Sequence, residues 1–442
     1  MAVTAASLAR VMIDRGLPAG ELEGKQALYT GVIERHAILR GAAPEFAFWV
    51  PGRLEVFGKH TDYGGGRTLV CAVPRGFAVA ASRRSDGRVR IDDAWRGEDV
   101  SIALGSTVTY SGWRHYADIA VRRIARNFPG APLGADIVVA SDLPRASGMS
   151  SSSALVVAIT TALARIGNLA KHPAWKLNIR TGLDLAGYYA CIENGRDFAG
   201  LTGDTGVGTH GGSEDHTAII EARPGQLSAF AFVPPRALGA APVPPDWRFV
   251  IAPSGVAARK TGEAREPYNR LSAGAALLLQ AWNSEGPRAV SVADALKSSA
   301  DAPDRLRSLV DRVATPDASA GWLRGRLDHF IREDGRILPA LRGFADGDRA
   351  ALAQLALGSQ ADADTLLGNQ VPATRELAAT AMSRGAFAAC SFGAGFGGAV
   401  WALVDRDDAA GFAERWHDEA FVMTPGLPLT ELLPNNSPRD TV

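Results

Sequence analysis

Residues 142–155 read DLPRASGMSSSSAL, a loop of small residues between two apolar segments. ADIVVASDL at 135–143 predicts a strand before it, and SALVVAITTALARI at 153–166 predicts a buried helix, apolar on nearly every face. Such a helix start presents unpaired backbone N–H groups and about half a positive elementary charge, which suits a polyphosphate. No lysine follows Gly148, which excludes a Walker A motif, and a flexible linker is the alternative interpretation.

A second stretch, GAGFGG at 393–398, formally matches the G-x-G-x-x-G pattern of dinucleotide-binding folds. That pattern must open a helix within a strand–helix–strand unit. Here AVWALV at 399–404 is typical of a strand, and too few residues follow to build a dinucleotide fold. We therefore predict a tight strand–turn–strand in which Gly393, Gly395 and Gly397 permit a close backbone approach.

A third stretch, VPGRLEVFGKHTDYGGG at 50–66, concentrates charged and polar side chains between apolar strands. Its basic, imidazole and carboxylate groups supply both donors and acceptors, as a polyhydroxyl ligand requires. For His60 or Asp62 taken singly, a solvated loop is the alternative explanation.

The composition is that of an ordinary globular protein, with 442 residues of which 46% are hydrophobic and 21% charged. Lys and Arg together number 47, as do Asp and Glu, so nonspecific binding to nucleic acid or to an anionic membrane is not expected. The three cysteines lie far apart, which favours reduced core residues and a cytoplasmic location over a disulfide framework or metal cluster. We expect no membrane span, because no apolar run approaches ~18 residues.

The patterns along the chain predict a mixture of helices and strands. The first ~45 residues are typical of helices, and extended runs on either side of Asp86-Gly87 predict a β-hairpin. A second mixed region ends with a strand at 247–253, and the segment from about 264 to 385 is mainly helical. The order of these elements indicates the α+β class.

Taken together and in this order, the three stretches resemble the GHMP small-molecule kinases, and within them the galactokinases. PGRLEVFGKHTDYGGG is similar to the galactokinase signature G-R-x-N-x-I-G-E-H-x-D-Y. LPRASGMSSSSAL is similar to the phosphate loop of that family, and SFGAGFGGAVWALV to its C-terminal glycine-rich motif. The resemblance implies an α+β fold of two domains with the active site between them: a ribosomal-S5-like domain at 1–245 and a ferredoxin-like domain at 246–442.

The resemblance also implies the reaction, transfer of the γ-phosphoryl group of ATP to the anomeric hydroxyl of a sugar. The residues that would wrap the ATP phosphates are Gly148, Ser150, Ser151, Ser152 and Ser153. Mg²⁺ would be bound by Ser152 and by Glu193, which lies on a predicted helix as the family's glutamate does. Asp204 competes with Glu193, because the family's glutamate lies about a dozen residues before the catalytic aspartate.

The family's catalytic aspartate corresponds to Asp215, in the segment GGSEDH at 211–216. By resemblance, Arg53 would contact this carboxylate and keep it ionised and oriented. Asp215 would then accept or orient the proton of the attacking hydroxyl. The alternatives are a turn residue or helix N-cap for Asp215 and a structural ion pair for Arg53.

The sugar-binding residues implied by the resemblance are His60 and Asp62, which would bind ring hydroxyls, together with Gly212 and, in EPYNRL at 266–271, Tyr268. The sequence departs from the signature at two positions, with Glu55 in place of asparagine and Lys59 in place of the sugar-binding glutamate.

Reversing a charge ~4 Å from a ligand is worth up to about 4 kcal/mol at an effective dielectric constant of 20. Lys59 would therefore select a sugar such as arabinose or a uronic acid, or, alternatively, it points to solvent and galactose is the substrate. Two other functions stay open. One is a non-catalytic sensor of sugar and ATP, and the other is a GHMP kinase for mevalonate or homoserine, which His60 and Asp62 disfavour.

Overall fold

The computed structural model describes residues 3–144, 147–257, 265–285 and 287–433. Its α-helices are α1 Ala5–Asp14, α2 Leu22–Arg40, α3 Trp113–Asn127, α4 Ser151–Ile166, α5 Pro173–Asn178, α6 Gly182–Asn194, α7 Glu214–Glu221, α8 Arg265–Asn283, α9 Val292–Lys297, α10 Ala302–Leu309, α11 Ala320–Asp346, α12 Arg349–Asp362, α13 Pro372–Ser383 and α14 Ala409–Trp416. Its strands are β1 Phe46–Phe57, β2 Arg67–Arg83, β3 Arg88–Asp93, β4 Glu98–Ala103, β5 Ala135–Ser141, β6 Gln226–Ala231, β7 Arg236–Pro242, β8 Trp247–Pro253, β9 Ala388–Phe392, β10 Ala399–Asp405, β11 Phe421–Met423 and β12 Thr430–Glu431.

The strands form two sheets. The larger sheet has the order β12-β1-β2-β5-β3-β4, and β6 with β7 extends it along the first part of the long strand β2. The smaller sheet, β11-β8-β10-β9, is antiparallel throughout. The predicted turn at 393–398 joins β9 to β10, which pair directly with each other, so the strand–turn–strand prediction is confirmed.

The hairpin predicted at Asp86-Gly87 is wrong. Strands β2 and β3 flank this turn, but β5 lies between them, antiparallel to β2 and parallel to β3. The buried, apolar β5 comes from a segment more than forty residues later in the chain and takes the central place in the sheet. A turn motif indicates where the chain reverses direction, but it does not predict which strand becomes the hydrogen-bonded neighbour.

The predicted apolar helix α4 is buried along most of its length and packs against β1 and β2. The two sheets share one apolar core, in which the rings of Phe57 and Trp401 meet edge to face with centroids 5.7 Å apart. The predicted domain boundary at 245/246 falls in the connection from β7 to β8, which lie in different sheets. It stays a prediction, since β12 returns to pair with β1.

In the described ranges, none of the helices has the length and apolar character that crossing a bilayer requires.

Candidate active site

The three stretches meet at a cleft. Its volume is about 520 Å³, a value that includes the part open to solvent. The lining comes from strand β1 and the loop after it, the start of α4, the end of α6, the start of α7, helix α8 and the β9–β10 turn. The predicted site residues that line this cleft are Arg53, His60, Asp62, Ser153, Glu193, Gly212, Asp215, Tyr268 and Gly393. Residues predicted from distant parts of the sequence are thus brought together.

Asp215 lies in the first turn of α7 and faces both Arg53 and the serine-rich start of α4. Its Oδ1 accepts from Arg53 Nε at 2.8 Å and lies 2.7 Å from Nη2. Its Oδ2 accepts from Ser153 Oγ at 3.3 Å. The carboxylate predicted to be catalytic therefore lies at the start of α4 and is held by the predicted arginine.

Arg53 also connects β1 to the loop that precedes α4. Its Nη1 donates to Gly148 O at 2.5 Å, and its backbone N donates to Met149 O at 3.2 Å. Burial acts to lower the pKa of Arg53, but the charges of the neighbouring carboxylates outweigh it and raise that pKa, so the guanidinium stays charged.

The start of α4 has the features of an anion site. Ser150 precedes the helix in a left-handed conformation with φ of 57°, and no described side chain caps the helix. Ser150 Oγ is buried without a hydrogen-bond partner among the described residues. Ser151, Ser152 and Ser153 form the first turn, where backbone N–H groups have no partner within the helix. Of these serines, Ser153 reaches the cleft.

The two candidate metal ligands differ in position. Glu193 lies near the end of α6, lines the cleft, and has its Oε2 3.2 Å from Nε2 of His216. Asp204 is paired with Arg126 at 3.3 Å and is not part of the cleft lining. The geometry favours Glu193 over Asp204 as the carboxylate that a bound metal ion would meet.

The residues predicted to bind the sugar lie close to one another. Asp62 Oδ2 accepts from the backbone N of Glu214 at 3.1 Å, which joins the loop after β1 to α7. A Cβ on Gly212 would lie 2.2 Å from the same oxygen, so only glycine fits there. The ring of Tyr268 lies 5.3 Å from that of His60, centroid to centroid. The turn glycines Gly395 and Gly397 pack against Asn369 and Val256 rather than in the cleft.

The expectation that Lys59 contacts the sugar is wrong, and so is the alternative that it points to solvent. Its side chain is fully buried, and Nζ donates to Ser359 Oγ at 2.8 Å and to Cys390 Sγ at 3.1 Å. Glu333 Oε1 lies 3.9 Å away. Burial acts to lower the pKa of Lys59, but Cys390 and Glu333 outweigh it and raise that pKa. The reason is not local, because the partners Ser359, Cys390 and Glu333 all come from the second half of the chain.

His60 lines the cleft, but both of its ring nitrogens contact protein groups. Nδ1 is 2.9 Å from Tyr63 Oη, and Nε2 is 2.9 Å from Ala394 O. Arg326 Nη2 donates to the same Tyr63 oxygen at 3.0 Å. A guanidinium can only donate and a carbonyl can only accept, so Tyr63 donates to Nδ1, and Nε2–H donates to Ala394. The structure therefore does not support hydrogen bonds from the His60 ring nitrogens to ring hydroxyls.

Sequence reasoning missed several side chains of the cleft. Glu214 and His216 flank Asp215 and line the cleft with it, and Tyr63 lies beside them. The buried Arg326 and Glu333 are not part of the lining; they come from α11, far along the chain, and no local motif points to them. Glu55, noted in the sequence only as a departure from the signature, also lines the cleft.

Comparison with known proteins agrees with this geometry. A family model for the galactokinase galactose-binding signature matches residues 34–83. Models for the N-terminal and C-terminal domains of GHMP kinases match residues 115–195 and 338–422. A galactokinase of Roseiflexus sp. is 29% identical over 412 residues, covering 91% of this chain and 93% of the relative. A galactokinase of Streptomyces coelicolor is 27% identical, with coverages of 86% and 90%.

Among solved structures, Lactococcus lactis galactokinase in complex with galactose superposes with a TM-score of 0.73 at 22% identity. It covers 91% of this chain and 99% of its own. Mevalonate kinase of Methanococcus jannaschii superposes with a TM-score of 0.55 at 12% identity. The expected α+β two-domain GHMP kinase fold is confirmed. The chain carries the galactokinase galactose-binding signature and the N- and C-terminal domains of GHMP kinases, and its relatives are galactokinases, so the resemblance to galactokinase-like sugar kinases is confirmed.

Proposed function

We propose that this kinase transfers the γ-phosphoryl group of ATP to the anomeric hydroxyl of a neutral aldose of the galactose type, giving a sugar 1-phosphate and ADP. The observation that carries the proposal is the position of Asp215, whose carboxylate is held by Arg53 on one side and by Ser153 of α4 on the other. A hydroxyl bound beside this carboxylate would lie next to an anion site.

Each group has a limited task in such a reaction. Phosphoryl transfer depends on in-line positioning and on stabilisation of the charge on the transferred group. Asp215 would orient the anomeric hydroxyl and take its proton, while Arg53 keeps that carboxylate in place. The first turn of α4 would bind the phosphates through backbone N–H groups and serine hydroxyls.

The residues present fit a magnesium ion. The Ser152 hydroxyl and the Glu193 carboxylate are hard oxygen donors, which Mg²⁺ prefers, and Mg²⁺ in kinases takes further ligands from nucleotide and water. Among the described residues, no group of three or more His, Cys, Asp or Glu forms a ligand cage, so these two donors would supplement the nucleotide's oxygens. When bound, Mg²⁺ would neutralise charge that develops on the phosphates.

The charges of the cleft bear on the substrate. Its lining carries the carboxyl groups of Glu55, Asp62, Glu193, Glu214 and Asp215, with Arg53 as the cation that faces them. Because Lys59 is directed away, a sugar carboxylate would meet mainly negative charge, at a cost of up to about 4 kcal/mol for each pair ~4 Å apart. This argues against the uronic acid and for a neutral sugar such as galactose, the ligand in the Lactococcus lactis complex.

Arabinose is the second candidate, on one observation. In the galactokinase-like pattern, position 59 supplies a side chain to the far end of the sugar, and here that side chain is buried against Ser359 and Cys390. A sugar without the hydroxymethyl group would lose nothing from this change.

The test is a coupled assay of ADP release with MgATP and galactose, arabinose or galacturonate, and with no sugar as the background. We expect kcat/KM for one of the two neutral sugars to exceed that for galacturonate by at least about tenfold, which is ~1.4 kcal/mol. Preference for galacturonate would contradict the substrate assignment. Sugar and nucleotide binding without ADP release would identify a sensor instead. We place the reaction in the cytoplasm, where ATP is available.

A further inference from the structure

Glu193 and His216 bring a carboxylate oxygen and an imidazole nitrogen together in the cleft. Glu193 lies near the end of α6 and His216 in the first turn of α7, and both line the cleft. Oε2 of Glu193 is 3.2 Å from Nε2 of His216. The two residues are 6% and 2% exposed, respectively, so each side chain presents only a small part of its surface to the cleft.

The contact lacks the geometry of a hydrogen bond. Neither ring nitrogen of His216 has a hydrogen-bond partner among the described residues. With the proton on Nε2, the N–H group would be poorly aligned with the carboxylate. With the proton on Nδ1, the lone pair of Nε2 lies beside the oxygen lone pairs of Glu193, and these repel each other unless a cation binds both groups. Imidazole nitrogen and carboxylate oxygen are both ordinary ligands of divalent metal ions.

The distance between the two atoms fits two ligands of one metal ion. Two donors that are each ~2.1 Å from an ion lie ~3.0 Å apart at the right angle of an octahedron and ~3.4 Å apart at the tetrahedral angle. The 3.2 Å between Oε2 of Glu193 and Nε2 of His216 lies between these two values. Both side chains could therefore reach one ion with little movement.

Hydrogen bonds hold the two helix ends in place. The carbonyl oxygen of Glu193 accepts from the backbone N of Val207 at 2.8 Å. The next residue, Asn194, donates through Nδ2 to Gly211 O at 3.1 Å, which connects the end of α6 to the segment that leads into α7. These contacts limit the movement of α6 relative to α7, and less conformational freedom is then lost when an ion binds.

We propose that Glu193 and His216 together bind the divalent metal ion that accompanies the nucleotide, and that the imidazole makes this site prefer a transition-metal ion to Mg²⁺. Mg²⁺ prefers oxygen ligands, whereas imidazole suits first-row transition ions, whose affinity rises from Mn²⁺ to Co²⁺. Phosphate oxygens and water would complete the coordination. The inference rests on the proposed function only in that the nucleotide brings the ion to the cleft.

The direct test is electron spin-echo envelope modulation of Mn²⁺ bound to the protein with ADP, which detects a nitrogen nucleus attached to the metal. We expect nitrogen modulation in the wild type and its loss in His216→Gln, where an amide replaces the imidazole. His210→Gln is the matched control and should keep the signal, because His210 is exposed and lies outside the cleft lining. No nitrogen coupling in the wild-type complex would overturn the proposal, and so would a signal that persists in His216→Gln.

A competition titration separates the metal preference from the proposed function, because it needs no sugar. Binding of Mn²⁺ to the complex with ADP is followed by electron paramagnetic resonance, with Mg²⁺ as the competitor. In His216→Gln we expect the ratio of the Mg²⁺ to the Mn²⁺ dissociation constant to fall by at least about tenfold. An unchanged ratio would contradict the preference even if ADP release shows a sugar kinase. Nitrogen coupling in a protein that phosphorylates no sugar would instead support the metal site and contradict the proposed function.

Discussion

Arg53 and Lys59 are two buried cations on one short segment, and the structure uses them in opposite ways. Arg53 faces the cleft, where three carboxyl groups compete for it. Lys59 is fully buried among residues of α11, α12 and β9, where Glu333 is paired with both Lys59 and Arg336. The first cluster has excess acid and an opening to ligands, whereas in the second the buried acid Glu333 is paired with two cations and does not line the cleft. A charged side chain in a binding motif can contact a ligand only where its protein partners leave it facing the cleft.

The largest fall in activity is expected from replacing Asp215, one of the carboxyl groups around Arg53. Asp215→Asn keeps the side-chain size but gives up the proton acceptor, and we expect kcat to fall by about 10²–10⁴-fold. Nucleotide affinity should change little, because the phosphate loop keeps its serines. Steady-state kinetics and nucleotide titration check both points. Turnover within a factor of about two of wild type would remove Asp215 from its role.

Replacing Lys59 should lower the stability of the fold rather than the rate of the reaction. Lys59→Met leaves Glu333 with one cation fewer in the core, and breaking a buried ion pair in this way costs about 3–5 kcal/mol. The matched control is Arg349→Met, which breaks the exposed pair with Asp405 and should cost no more than about 1 kcal/mol. Denaturant unfolding measures both variants. Equal losses would mean that the Lys59 cluster is not a buried ionic contact.

The next prediction compares Glu193 and Asp204, the two candidate ligands of Mg²⁺. Glu193→Gln should raise the Mg²⁺ concentration needed for half-maximal activity by about tenfold, equal to ~1.4 kcal/mol of binding. Asp204→Asn is the matched control outside the cleft, and it should not change the Mg²⁺ concentration needed for half-maximal activity. The opposite pattern would make Asp204 the ligand. Ser152→Ala should shift the titration in the same direction as Glu193→Gln.

The smallest effect on activity is expected at the border between the clusters. Tyr63→Phe removes the hydroxyl that accepts from Arg326 and donates to His60, and the lost hydrogen bonds should cost about 1–3 kcal/mol of stability. We expect KM for the sugar to rise severalfold while KM for ATP stays the same. An equal rise of both would show that the hydroxyl supports the fold as a whole rather than the sugar side of the cleft.

The sequence was informative where chemistry is encoded locally. Short motifs predict Asp215, Arg53 and Ser153, and the structure brings these three side chains into contact. The direction of the Lys59 side chain was not predictable in this way, because its partners Glu333 and Cys390 come from the other half of the chain. The hairpin at Asp86-Gly87 failed for a related reason, since β5 arrives from a later segment.

Glu55 and Glu214 had a signal that could have been used. Both are acidic residues in otherwise apolar or glycine-rich motifs, and Glu55 was recognised as a departure from the signature. Two such acids in motifs expected to meet at one site would suggest a paired contact. The packing of α7 against β1 brings both acids to Arg53, and this contact between distant segments is seen only in the folded structure.

The most direct test of the central claim identifies the product by ³¹P nuclear magnetic resonance. Wild-type protein is incubated with ATP, Mg²⁺ and the sugar that gives the highest ADP release, and the phosphorus signal is assigned through its coupling to the sugar protons. The arrangement of Asp215, Arg53 and the start of α4 predicts a phosphate on the anomeric oxygen, formed together with ADP in equal amounts. Phosphate on another hydroxyl, or inorganic phosphate as the only product, would contradict it.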